Sequence, residues 1–151
     1  MKRFLTLPNV LKCVAAVFGL AAFFLMFGNQ LYAEVLGKKG YVAFDAALFG
    51  DNGSVLTFIG YLLVLLSVCA VCALVFVKLD AKLGKAIDLG LAGVLVLGAV
   101  FVFIEAAVVN GRLGASPYHL AACPILAGIF AIVAALATAA SEFVPQKKLL
   151  K

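Results

Sequence analysis

Four long apolar stretches, residues 10–27, 54–77, 89–110 and 120–140, alternate with polar connections along the chain. Each approaches the roughly 20 residues that an α-helix needs to cross a hydrocarbon core about 30 Å thick. Their apolar positions surround the helix instead of forming one stripe, which is the pattern of a membrane span. The expected fold is therefore an all-α integral membrane protein, a single bundle of four transmembrane helices. In the third stretch Gly90, Gly93 and Gly98 would weaken a soluble helix, but between lipid-embedded helices such residues admit close packing. Ala127, Gly128, Ala131, Ala134, Ala135 and Thr138 do the same for the fourth.

The connections are unequal. Residues 28–53 form the longest, beginning Gly-Asn-Gln, with Tyr32–Leu36 a candidate prolongation of the first helix and Gly37-Lys-Lys-Gly40 a break. The half-apolar run 41–49 is expected as a short strand or an interfacial helix packed on the helix ends, with Tyr41, Phe44, Leu48 and Phe49 as an outer contact segment. Asn52-Gly53-Ser54 matches a glycosylation triplet, but beside a membrane it is expected as a turn. Ser54 is the expected cap of the second span, and Gly84 ends the basic connection 78–85. Ser116-Pro117 is a start signal for the fourth span, and Cys123-Pro124 is a second possible start or a kink. The basic start and the apolar run 10–27 also resemble a signal peptide with Leu31-Tyr32-Ala33 as its cleavage site, but the run is long and Leu31 is too large for that position.

Composition removes a soluble alternative. The 151 residues are 66% hydrophobic and 13% charged, against about 25% charged for a soluble domain. The net charge of +5 is not a nucleic-acid footprint, because the basic residues flank apolar segments. Nine of the twelve Lys and Arg lie in the start, the 78–85 connection and the tail, and only Lys38, Lys39 and Arg112 lie in the other two loops. The positive-inside rule then places both termini in the cytoplasm of a multi-pass cell-membrane protein, with 28–53 as a larger first extracytoplasmic loop. Lys12, near the start of the first span, is expected to snorkel to the headgroups.

Candidate chemistry is sparse. Glu105 is the carboxylate committed to the hydrocarbon, on one face with Val94, Gly98, Phe101 and Arg112. Ionisable groups at membrane depth usually face the bundle interior and mark an ion or proton site. Arg112 and His119 are its expected partners. Its structural reading is a carboxyl bonded to a Ser, Thr, Tyr or His that fixes helix packing. Cys69-Ala-Val-Cys72 has the spacing of a redox pair, but mid-helix burial raises a thiol pKa where catalysis needs it lowered. Membrane thiol oxidoreductases of the vitamin K epoxide reductase kind resemble the chain in helix count alone. Cys13, Cys69, Cys72 and Cys123 are expected as small buried hydrophobes, with no metal site and no cofactor. No phosphate loop, nucleophile elbow or paired catalytic carboxylates occur.

A large first outer loop followed by a small one is similar to the layout of animal claudins and other tetraspan proteins. Their loop tryptophan and disulfide have no counterpart here. The leading expectation is a non-enzymatic membrane protein acting through contacts, with itself or within a larger membrane complex. The alternative is a small transporter or channel component that uses Glu105, and a third is a thiol enzyme on Cys69 and Cys72.

Overall fold

A computed structural model describes residues 6–51, 53–77, 80–115 and 117–144. The chain forms helix α1 (Leu7–Phe24), a 3-10 turn (Leu25–Phe27), strands β1 (Leu31–Val35) and β2 (Lys38–Val42), and helices α2 (Phe44–Phe49), α3 (Val55–Phe76), α4 (Ala81–Phe103) and α5 (Glu105–Leu113). Strand β3 (Tyr118–Leu120) and helix α6 (Ala122–Ser141) follow. Four of these helices, α1, α3, α4 and α6, are long and apolar enough to cross a membrane.

They form a ring in which α1 packs on α3 and α6, and α4 packs on the same two. Small side chains face inward. Gly60 and Gly98 let α3 and α4 touch backbone to backbone, since a Cβ on Gly98 would lie 2.8 Å from the Gly60 carbonyl oxygen. Gly19 accommodates Val68, and Gly128 accommodates the ring of Phe103. The core is correspondingly Ala- and Val-rich, including Ala15, Ala22, Val64, Val68, Val71, Ala99, Ala131 and Ala134. Large apolar residues such as Val17, Phe24, Leu66, Val100, Ile129 and Leu136 point outward. In water that arrangement would be inverted, whereas in lipid it lets dispersion between close backbones hold the bundle.

One end of the ring carries a three-stranded antiparallel sheet of order β2-β1-β3. Leu31, Val42 and Leu120 are in register on one face, as are Tyr32, Tyr41 and His119 on the other. Leu31 packs with Ala47 and Val109, so the first face rests on α2 and α5. Asn110 anchors β3, accepting from the Tyr118 amide at 3.1 Å and donating to its carbonyl at 2.8 Å.

Several expectations change. Tyr32–Leu36 does not prolong the first helix but forms β1 and its turn. The 41–49 run divides between the end of β2 and helix α2. Within it, Tyr41 and Phe49 are exposed, Phe44 is half-buried against Phe27, and Leu48 is fully buried. The fold is mostly helical, consistent with the all-α membrane bundle expected, and its first loop adds a small sheet. Gly84 lies inside α4 instead of ending a connection. The last span begins at Ala122, so Pro124, not Pro117, sits in its first turn, where a missing amide costs nothing. Ser54 does cap α3, its hydroxyl accepting from the Thr57 amide at 3.3 Å. The readings placed on Asn52, Lys78 and Ser116 fall outside the described residues.

Candidate functional site

The apolar stretch 89–110 is not one helix: α4, the segment long enough to cross, ends at Phe103. The stretch breaks at Ile104 (φ −85°, ψ 0°), and Glu105 opens the next segment. The Thr57 hydroxyl donates to the Phe101 carbonyl at 3.4 Å, the acceptor that an unbroken helix would give to the Glu105 amide. The buried seam runs Asp88, Ala92, Leu95, Gly98, Ala99, Val102, Glu105 and Val109. Val94 and Phe101, expected on the face of Glu105, are only half-buried.

Glu105 belongs to a belt of polar side chains at the sheet end. Gln30, Ser54, Thr57, Tyr61 and Glu105 are all 0% exposed. Tyr61 donates to Gln30 Oε1 at 2.9 Å, and Gln30 Nε2 donates to the Met26 carbonyl at 2.7 Å. Thr57 donates to Ser54 Oγ at 2.7 Å. Glu105 is the exception, with both carboxyl oxygens unpartnered among the described residues.

The expected partners point elsewhere. Arg112 donates to the Gly53 carbonyl, about 10 Å further along the axis by helical rise. His119 is exposed and lies against the Tyr32 ring at 5.3 Å between centroids. Neither bonds the carboxyl. Beyond Glu105 lies an apolar cavity of about 240 Å³ under α2, lined by Leu31, Ala47 and Val109 and rimmed by Asp51. Val109, one turn past Glu105, is in its floor.

A second polar cluster, which the sequence reading missed, closes the other end. Lys12 does not snorkel to the headgroups. It reaches Asp88 at 2.5 Å and Glu142 at 3.7 Å. Helices α1 and α4 face each other across the ring, so this pair crosses the bundle axis. Asp88 is 1% exposed and leaves Oδ1 unpartnered. Burial pushes the Glu142 carboxyl up, as does neighbouring Asp88, and Lys12 offsets part of this. The cluster lines a polar cavity of about 570 Å³ with Asp80 and Lys85. Its only sequence signal was a lysine inside an apolar run. Between these clusters the described interior is mostly apolar; Ser67 has an unpartnered hydroxyl there, while Thr138 and Ser141 bond backbone carbonyls of their own helix.

The cysteines form no disulfide among the described residues. Cys13 and Cys69 are exposed on the apolar helix surface, while Cys72 and Cys123 are half-buried. Cys13 and Cys69 thus face outward from the bundle, and Cys72 and Cys123 are partly enclosed in it. No family model, curated protein or solved structure matches this chain.

Proposed function

We propose that this chain is a small proton-handling membrane protein, a carrier or a component of one, in which Glu105 takes up and releases the proton. The observation that carries this reading is the orphaned carboxyl. Every other fully buried side chain of its belt has a hydrogen bond, and Glu105 has none. A structural carboxyl would hold helices together through such bonds. An unpaired carboxylate removed from water costs several kcal/mol, so charge there needs a proton or a cation beside it. Glu105 opens α5 beside the helix break at Ile104, directly after the α4 span. The cavity lined by Val109 lies one helical turn from Glu105, on the sheet side. The basic residues at the opposite end support a cytoplasmic placement of both termini, which makes the sheet side extracytoplasmic.

The contact reading has less behind it. Its small-residue faces are largely used inside the bundle, at Gly19, Gly60, Gly98 and Gly128. A contact surface would now centre on Tyr41 and Phe49, which are 57% and 54% exposed.

Dicyclohexylcarbodiimide, an apolar reagent that adds to protonated carboxyls, tests the proposal in native membranes. The expected result is an adduct on Glu105, found by mass spectrometry, that declines as the medium on the sheet side is made alkaline. Absence of the adduct until the protein is denatured, or labelling indifferent to pH, would overturn the reading.

A further inference from the structure

The turn joining β1 to β2 is unusual in two ways at once. Leu36 has φ +52° and Gly37 φ +75°. That turn favours Asn or Gly at its first position, and a leucine there is strained. Leu36 is also 99% exposed, and Val35 beside it is 65% exposed. A strained apolar residue projecting from the fold stabilises nothing within it, so its role lies in what it touches outside.

The register says which way the hairpin faces. Side chains alternate along β1, so Leu31, Ala33 and Val35 share one face, and Tyr32 and Glu34 share the other. Leu31 is the residue seated on the bundle, and burial declines from it toward Val35. At about 3.3 Å per residue, Val35 lies roughly 13 Å beyond Leu31. It therefore lies well past the seated end of the strand, on the same face as Leu31. Lys38 is paired with Val35 and shares that face, whereas Lys39 is paired with Glu34 on the opposite face, over the Tyr32 ring at 4.9 Å. These two lysines are also two of the three basic residues that depart from the charge bias of the chain. The third, Arg112, is engaged with Gly53.

We infer that the β1–β2 hairpin is a membrane-docking element. Val35 and Leu36 enter the headgroup–acyl boundary of the leaflet on the sheet side, and Lys38 meets lipid phosphates there. Apolar tips flanked by lysine are suited to this boundary, where burial of the apolar part and attraction to anionic lipid add. The inference depends on the bundle spanning a bilayer and is independent of any role for Glu105.

The chain contains no tryptophan, so one introduced residue reports alone. Leu36→Trp, Val35→Trp and, as the opposite-face control, Glu34→Trp are each placed in full-length protein. The host vesicles are phosphatidylcholine and phosphatidylglycerol brominated on the upper acyl carbons. The first two are expected to lose most of their emission to the bromines, with a blue shift, while Glu34→Trp keeps water-exposed emission open to aqueous iodide. All three sites are exposed, so the substitutions leave the fold in place. Water-exposed emission from both Leu36→Trp and Val35→Trp would overturn the inference, as would quenching of Glu34→Trp equal to theirs. Protection from iodide without bromine quenching would also overturn it, because it means a protein covers the tip.

Discussion

Replacing Lys12 by methionine keeps a long unbranched stem and removes the ammonium. Asp88, 1% exposed, and Glu142 would then face each other across the bundle mouth with no counter-charge. Breaking a buried ion pair from one side costs about 3–5 kcal/mol. The partial exposure of Lys12 and the adjoining polar cavity put the expected loss near the lower end, about 3 kcal/mol. Adding Asp88→Leu should recover most of it, since exchanging both members of a pair for apolar residues is often nearly neutral. The sign with pH follows from Glu142, whose carboxyl is raised by burial. A raised carboxyl favours the fold while it is protonated. That contribution is full below its unfolded pKa and is lost as pH rises through its folded value. Without Lys12 the two carboxylates repel more, so the deficit of Lys12→Met should widen as pH rises. Reversible unfolding in bicelles by sodium dodecyl sulfate, followed by circular dichroism, measures these differences. A Lys12→Met protein within about 0.5 kcal/mol of the parent at every pH would refute the axial ion pair, since only a solvated surface pair is worth so little.

Three further outcomes follow. Gly98→Ala places a methyl 2.8 Å from the Gly60 carbonyl and should cost about 1–3 kcal/mol by overpacking. In the same assay Gly90→Ala, with open space around it, should be neutral or slightly stabilising. Tyr61→Phe strips the donor from Gln30 Oε1 and should cost about 1–3 kcal/mol, with amide exchange near Gln30 accelerated. Cys69 should react with a membrane-permeant maleimide in folded protein and Cys72 far more slowly, given their different exposure; mass spectrometry of the two sites reads this directly.

The four helices were legible because spanning length and all-round apolarity are local properties of a segment. The sheet was not. Its strands are three to five residues long, its turn has Leu36 where a hairpin signal would have Asn or Gly, and β3 comes from a different loop. Glu105 stood out as a carboxyl within an apolar stretch, yet nothing in its spacing revealed the break at Ile104. Lys12 and Asp88 looked like separate flanks because 76 positions divide them and because α4 starts at Ala81, well before the apolar run at Leu89. Diagonal pairing across a helical ring leaves no periodic trace. Arg112 and His119 were assigned to Glu105 by proximity in sequence, whereas the cap supplied each with a nearer contact.

The central claim is that Glu105 exchanges a proton. The direct measurement is charge displacement on a solid-supported membrane after a pH step on the sheet side, comparing parent protein with Glu105→Gln at equal reconstitution density. A transient current in the parent that disappears in Glu105→Gln, with the helical content of both unchanged, is the predicted result. Equal currents in the two proteins, or no current in the parent, would contradict it.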